Sequence, residues 1–401
     1  MPRALVFYHY FHPDDVVSAQ HYKDLCKGLA AKGWDVTVMP CNRGCRNEAR
    51  VFPSQEDWEG IHISRVWRPR FRQASFLGRL ANAAWMILAW SFAALRYSPD
   101  VVIVGTDPVF GVLASIPWKW FRPKTRIFHW CFDLHPEAAI ATGMFTSNHP
   151  LVRLLRPLLR KAYRNCNLVG SIGPCMTRRL REYDQELPID IFTPWALSEP
   201  SSVIPSDPIE RSTVFGQAGL TLMYSGSFGQ AHSFEAILAL ARELRNQDDI
   251  RFAFSVRGNR AQALRDAVTA EDTNISFVEF APQDRLEQRL SAADIHIVSL
   301  RPEYAGTVVP SKFQGALAAG RPILYAGPFD SAVAQWIDEF GLGWTVSEGN
   351  ILEIAGKLVQ FKEHSELRCA LNEKCFRTYQ DRFSRSAIIT HLEGSLGGLL
   401  K

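Results

Sequence analysis

Ala305-Gly-Thr-Val-Val-Pro-Ser-Lys-Phe-Gln-Gly-Ala-Leu-Ala-Ala-Gly-Arg-Pro-Ile-Leu-Tyr325 is the stretch from which the rest of this sequence can be read. It follows an apolar run, Ile295 to Leu300, that reads as a buried strand bounded by polar residues. Gly306 and Thr307 make a turn, and Pro310 leads into helix-forming residues from Ser311 to Ala319. Gly320 stops that helix, and Pro322 opens a strand from Ile323 to Ala326. Strand, loop, helix, strand is the repeating unit of a doubly wound sheet, with the helix N-terminus at the sheet's carboxyl end. Backbone N–H groups of Thr307, Val308 and Val309 at such a terminus make an anion site, with Lys312 as a mobile positive charge beside it. An ordinary crossover with a proline-started helix gives the same pattern without a ligand.

Working outward, the same βα rhythm recurs on both sides. Towards the N-terminus lie a strand at Thr221–Tyr224, a turn at Ser225–Ser233, a helix at Phe234–Arg245 and strands at Phe252–Val256 and Ile275–Phe280. A segment with four prolines and several serines, Thr193 to Pro208, reads as a linker. Before it, residues 4–11 read as a strand, Ala19–Lys32 as an amphipathic helix and Trp34–Met39 as a second strand, the opening of another doubly wound domain. The first turn, His12 to Ser18, lacks a glycine-rich fingerprint, which argues against a dinucleotide there. Further strands at Asp100–Gly105 and Arg126–Phe132 end in Thr106-Asp107-Pro108 and Asp133-Leu134-His135-Pro136-Glu137. The expected fold is α/β: two Rossmann-like doubly wound domains facing a central cleft, residues 1–195 and 205–378.

The chain of 401 residues suffices for two such cores, and its 47% apolar and 21% charged content is that of a globular protein. No signal-peptide pattern opens it, and eight cysteines without framework spacing point to free thiols in a reducing compartment. Cys41 and Cys45 have no second ligand pair nearby, which argues against zinc. Residues 1–200 hold 25 Lys and Arg against 17 Asp and Glu; residues 201–401 hold 20 against 24. A basic half beside an acidic half implies an anionic partner for the first. No nucleic-acid-binding pattern accompanies it, so a membrane surface or a phosphorylated acceptor fits better.

Two helical stretches bear on that partner. Leu80–Leu95 is 16 residues without a charge, bracketed by Arg79 and Arg96 and carrying Trp85 and Trp90. It is shorter than the roughly 20 residues that span a bilayer, so it is a buried helix or one dipping into a membrane interface. Leu151–Cys166 sets Arg153, Arg156, Arg160 and Arg164 against Leu151, Leu154, Leu155, Leu158, Leu159 and Ala162 as the other face. Pro157 should kink or restart it. Such a helix suits anionic lipid, at about 1 kcal/mol per basic side chain, or is a plain solvated face.

With these pieces in place the chain resembles glycosyltransferase family 4 of the GT-B fold, especially bacterial enzymes of exopolysaccharide and O-antigen synthesis. The resemblance rests on Tyr224-Ser-Gly-Ser-Phe-Gly-Gln-Ala-His-Ser-Phe234, Ala292-Ala-Asp294, Val309-Pro-Ser-Lys-Phe-Gln-Gly-Ala-Leu-Ala-Ala-Gly-Arg-Pro322 and Phe132-Asp-Leu-His-Pro-Glu137. It implies a retaining transferase with a nucleotide-sugar donor, UDP before GDP, in the C-terminal domain. The acceptor, a saccharide or lipid-linked saccharide, belongs to the N-terminal domain. It implies no metal and no cofactor, since protein groups and helix dipoles meet the diphosphate. A last helix, Phe383–Leu392 stopped by Gly394, within residues 380–401, would cross back to the first domain. The protein would then be cytoplasmic, peripheral on the inner face of the cell membrane, and bound to anionic lipid.

Family members usually carry two glutamates eight positions apart, for the donor sugar and the ribose; here these positions hold Thr307 and Gly315. The basic pair expected after the first donor-domain strand falls on Ser227 and His232. Lys312, Arg257 and the amides of Ser227, Phe228 and Gly229 become the candidates for the phosphates, with Gly226, Val308, Val309 and Ser311 around them. Glu303 stands in for the sugar-facing carboxylate. Phe280-Ala281-Pro282 occupies the base-binding strand end. Asp133 is the first candidate for the proton acceptor, followed by His135 and Glu137, and Asp107 for acceptor binding. Asp133 could instead be an N-cap for the helix after Pro136. Two other readings remain: a non-catalytic scaffold for another transferase, and a UDP-sugar epimerase of the same fold.

Overall fold

The computed structural model describes residues 1–73, 75–281 and 285–401. They form two compact units. One comprises Met1–Thr193, Gly306–Val308 and Ile388–Lys401; the other comprises Pro194–Ala305 and Val309–Ala387.

The first unit is built on an eight-stranded sheet of β1 (Arg3–Phe7), β2 (Asp35–Val38), β3 (Gln55–Trp58), β4 (Ile61–Ser64), β5 (Val101–Gly105), β6 (Arg126–Trp130), β7 (Leu168–Ser171) and β8 (Ile189–Ile191). Its order is β3-β4-β2-β1-β5-β6-β7-β8, and every neighbouring pair is parallel except β3 and β4. That edge hairpin was not apparent in the sequence, because its turn is Glu59-Gly60 with both residues at positive φ, a form that asparagine-glycine announces more openly. The central strands are apolar throughout, as sheets covered on both faces require. With them go α1 (Val17–Ala31), α2 (Phe76–Ala93), α3 (Ser115–Phe121), α4 (Glu137–Ala141), α5 (Pro150–Arg164) and α6 (Pro174–Arg181). Phe7 stacks on Trp90 of α2 at 5.2 Å between ring centres, and the Trp118 indole N–H of α3 donates to the Trp90 carbonyl at 2.7 Å. These buried rings each remove some 2–3 kcal/mol of apolar exposure from water and lock α2 and α3 to the sheet.

α5 corrects the sequence reading twice. It runs unbroken through Pro157, whose exposed position lets water take the carbonyl that proline leaves unpaired. Its buried residues are Val152, Leu159, Ala162 and Tyr163, so Leu151, Leu154 and Leu158 share the solvent face with the arginines. α2 is likewise half-exposed, burying only Asn82, Ala83, Met86, Trp90 and Ala93.

The second unit holds a six-stranded parallel sheet of β9 (Leu220–Ser227), β10 (Ile250–Arg257), β11 (Ile275–Phe277), β12 (Ile295–Ser299), β13 (Ile323–Ala326) and β14 (Gly343–Val346). The order is β11-β10-β9-β12-β13-β14. Its helices are α7 (Pro208–Phe215), α8 (Glu235–Glu243), α9 (Ala261–Ala267), α10 (Leu286–Ser291), α11 (Lys312–Ala318), α12 (Ala332–Phe340), α13 (Ile351–Glu363) and α14 (Ser365–Thr378). Leu222, Tyr224, Phe252, Phe254, Ile297 and Leu324 make its core.

The last helix, α15 (Arg385–Gly398), passes through Gly394 instead of stopping there. A mid-helix glycine costs only about 1 kcal/mol. Fully buried Leu392 and Leu396 hold the turns on either side of it. Glu393 accepts from the Trp34 indole at 3.3 Å and His391 lies 2.9 Å from Asp190, both within the first unit.

Candidate functional site

In the first unit, chemistry collects where β1, β5 and β6 end. Loops leave these strands at His9, Asp107 and Asp133, the position at which parallel sheets place ligands. His9 Nδ1 lies 3.0 Å from Asp107 Oδ1, and the His9 amide donates to the Asp107 carbonyl at 2.9 Å. Burial opposes charge on this ring, but the adjacent Asp107 carboxylate outweighs it, and its hydrogen bond and that of Cys41 assist, so the pKa rises to about 9. His9 is therefore an imidazolium at neutral pH, paired with Asp107. It was missed because Tyr8-His9-Tyr10-Phe11-His12 reads as the tail of a strand; the signal was two histidines beyond the last alternating apolar residue.

Asp133 and His135 line one small, open pocket together with Thr106, Phe110, His129 and Tyr163. Asp133 reaches solvent, yet the protein packed around it and the like charge of Asp107 push its carboxyl up to about 6. α4 has no side-chain cap and begins behind Pro136, so the alternative of Asp133 as its N-cap is not what the chain does. His135 is shifted down by burial and stays neutral near pH 7. Glu137 does not line this pocket. It is buried, with Oε1 accepting from the Tyr183 hydroxyl at 2.7 Å and forming an ion pair with Arg156 at 3.7 Å, and burial raises its pKa. It stands as a structural carboxylate.

Gly306–Val308 groups with this unit: the Leu134 amide donates to the Thr307 carbonyl at 3.2 Å, and Thr307 is buried. This corrects the anion-cradle geometry. α11 begins at Lys312, so Thr307, Val308 and Val309 precede it, separated by Pro310, and their amides are not its first-turn donors. The exposed Ser311 is the N-cap, without a side-chain capping bond.

In the second unit, β9 runs on to Ser227, two residues beyond Ser225 where the sequence suggested a turn. Lys312 Nζ donates to the Ser227 carbonyl at 2.9 Å and sits 5.0 Å from the centre of the Tyr224 ring. Gly226 permits this: its φ is 131°, and a Cβ there would meet Lys312 Cε at 2.7 Å. Burial of the ammonium pulls Lys312 down to about 8. His232 Nδ1 lies 2.8 Å from the Ser299 carbonyl; burial, then the nearby Lys312 charge, lower it to about 4, so the ring is neutral. The Phe228 amide donates to the Arg257 carbonyl at 2.6 Å, which removes it from the candidate phosphate donors. A Cβ on Gly258 (φ 129°) would strike the Phe228 carbonyl at 2.6 Å, so glycine is needed for this close approach. The exposed Arg257 guanidinium covers the Phe280 ring at 4.6 Å. Phe280 lies three residues beyond β11 and does not end it, and Pro282 lies outside the described residues. Glu303 is exposed and pairs with Arg301 at 3.4 Å. A Cβ on Gly315 would meet nothing within 4 Å, and Gly229 is similarly open apart from Asn259 Oδ1 at 3.8 Å.

Residues 18–189 match the glycosyl transferase 4-like domain. The chain is 24% identical over 259 residues to the probable glycosyltransferase WbjE of Pseudomonas aeruginosa, a match spanning 64% of each chain. The sucrose-phosphate synthase of Thermosynechococcus elongatus superposes with a TM-score of 0.71 at 14% identity, covering 100% of this chain and 99% of that one. HepE of Anabaena, solved with UDP and glucose, gives 0.63 at 14% identity over 99% and 100%. The first unit thus carries a glycosyl transferase 4-like match, and the two α/β units together have the fold of GT-B glycosyltransferases.

Proposed function

We propose that this protein transfers a sugar from a nucleotide diphosphate donor, UDP-sugar before GDP-sugar, to a hydroxyl of a saccharide or lipid-linked acceptor. It does so with retention, without a metal, in the cytoplasm. One observation carries the reading: Lys312, a desolvated ammonium held at the carboxyl end of β9. Such a group gains most from an anion that restores its charge. Lys312 and Arg257 hold the diphosphate, the Arg257–Phe280 pair faces the nucleoside, and the Gly226–Gly229 turn, His232 and the 309–311 segment surround the sugar. In the first unit, Asp107, charge-balanced by His9, orients the acceptor. The acceptor oxygen bonds to the anomeric carbon as the bond to phosphate breaks. The hydroxyl proton passes to the leaving phosphate oxygen on the same face, or to Asp133, ionised above pH 6. HepE, a fold relative, is described with UDP and glucose, which supports testing UDP first.

The test is calorimetric titration with UDP, GDP and ADP in metal-free buffer. Micromolar binding of one nucleotide, weakened at least about tenfold by Lys312→Ala, is the expected result. Affinity should also fall as pH rises through about 8, where Lys312 loses its proton, and this dependence should vanish in the variant. Thr307 and Gly315 in place of carboxylates favour a second reading, a non-catalytic scaffold. Nucleotide binding without donor turnover would support it. The space beside Gly315 shows that crowding does not account for the missing side chain.

A further inference from the structure

Three arginines are buried among the described residues, and two of them are well partnered. Arg65 donates to the carbonyls of Pro53 at 3.0 Å and His12 at 2.7 Å and to the Glu56 carboxylate at 2.6 Å. Arg321 donates to five carbonyls. Arg68 is the exception. It is 0% exposed, yet its Nε, Nη1 and Nη2 have no hydrogen-bond partner among the described residues. Its backbone, by contrast, is held on both sides. The Arg68 amide donates to Asn42 Oδ1 at 2.9 Å, and its carbonyl accepts from Arg43 Nε at 2.8 Å. A bridge between Cys41 and Val66 joins these two segments just beyond β2 and β4. The fold thus fixes the guanidinium in place and leaves its five N–H groups unused. An enclosed, unpaired charge is costly enough to need a partner that the chain itself does not supply.

The groups around Arg68 set the chemistry of that partner. Tyr10 stacks on His9 at 4.2 Å between ring centres, and its hydroxyl lies in the field of both Asp107 and Arg68. Burial, then Asp107, raise the Tyr10 pKa while Arg68 opposes them, so the phenol stays protonated. The half-buried Gln73 donates to that hydroxyl through Nε2 at 2.9 Å. Charge counting narrows the ligand. His9 and Asp107 neutralise one another, and the half-buried Glu48 accepts from the Gln73 amide at 3.0 Å. One enclosed positive charge is left, on Arg68. A monoanion balances it, whereas a doubly charged phosphate would leave an excess of negative charge. A planar carboxylate also matches the guanidinium fork bidentately. We infer that Arg68 and Tyr10 bind the carboxylate of an acidic, uronic-type sugar beside Asp107, the carboxylate taking the place of Gln73 at the Tyr10 hydroxyl. The inference deepens the transferase reading and rests on it only in calling this sugar the acceptor.

The test is calorimetric melting of the full chain, without nucleotide, in glucuronate and in galacturonate. Glucose, galactose, inorganic phosphate and chloride serve as comparisons, the salts at matched ionic strength. The expected result is a rise of about 2 °C or more in the first unit's transition with a uronate at tens of millimolar, absent with neutral sugars and chloride. Arg68→Met should abolish this response. Without ligand the same variant should melt no lower than the unmodified chain, because an unpaired buried charge has been removed. Lys312→Ala, in the second unit, should keep the response. In the unmodified chain, amide exchange over residues 40–45 and 66–70 should slow with the uronate and not with glucose, a readout that needs no variant to fold. A rise matched by chloride, or retained in Arg68→Met, overturns the inference. So does a response to phosphate alone, which would make the ligand a phosphate. Arg68→Met melting well below the unmodified chain also overturns it, by showing the guanidinium satisfied within the protein. A uronate response without binding of UDP, GDP or ADP would sink the transferase reading and leave this site standing.

Discussion

Burial, and beside it the like charge of Asp107, hold the Asp133 carboxyl at about 6, and in the proposed reaction this sets a pH limit. If Asp133 takes the proton in the proposed reaction, its ionised form is the active one and turnover should decline as pH falls through about 6. Asp107→Asn removes the like charge and should move the acid limb of kcat/KM to lower pH, whereas Asp133→Asn should cost about 10²–10⁴ in kcat at every pH. A limb that stays in place in Asp107→Asn would remove Asp133 from this role. His9 gives a stability counterpart. Its folded pKa of about 9 lies above the ordinary 6.5, so its pairing stabilises fully below 6.5 and is lost as pH rises through 9. Thermal melts of the unmodified protein should fall by several degrees between pH 6 and pH 9.5, beyond the change seen in His9→Gln. At this scale the sequence was legible in residue type but not in grouping. Asp133 and Lys312 could be singled out because a carboxylate and an ammonium stood beside strand ends. Glu137 could not be separated from them, since its Tyr183 partner is 46 residues away.

Helix α11 shows what a motif can hold besides chemistry. Arg321, just after it, is buried, and its guanidinium donates to the carbonyls of Ile204, Ser291, Ala293, Ala319 and Gly320 at 2.7–3.2 Å. One side chain thus ties the end of α10, the end of α11 and the chain leading into α7. Arg321→Met would leave five carbonyls without this donor and should cost about 3 kcal/mol or more, read as the denaturant midpoint. Arg321→Lys, with three donors, should recover only part. In the sequence Ala-Ala-Gly-Arg-Pro appears as a family signature near a donor site; the structure gives its arginine a structural task. Element type followed readily from apolar runs such as Val101–Val104 and Ile295–Ser299. The bounds of α11 followed as well, since Lys312–Ala318 with Ser311 and Ala319 as its caps matches the expected Ser311–Ala319. The end of β9 did not: the strand runs on to Ser227, past Tyr224, because its polar last residues have no apolar periodicity to read.

At the scale of the whole molecule, the basic and acidic halves of the sequence belong largely to different units, so the first unit carries the excess of positive charge. That unit is also closed by residues from the far end of the chain. Leu392 and Leu396 are fully buried, and Ile389 packs against Gly28 so closely that a Cβ there would meet it at 2.5 Å. Ending the chain after Ala387 should lower or abolish the first unit's calorimetric transition. The second unit should keep its own, because Glu199 still holds Tyr379 and the segment Pro194–Ala387 is otherwise complete. Leu392→Ala should show the same selectivity at about 2–5 kcal/mol.

The assignment of Gly306–Val308 and Ile388–Lys401 to the first unit means that neither unit is a contiguous cassette of the gene. Exchanging the second unit for that of a relative takes two junctions at the ends and a choice about the tripeptide between them. A graft at the proline-rich segment alone carries away part of the recipient's own core. Chimeras that retain Gly306–Val308 and the last fourteen residues of the recipient are the ones this architecture allows to fold.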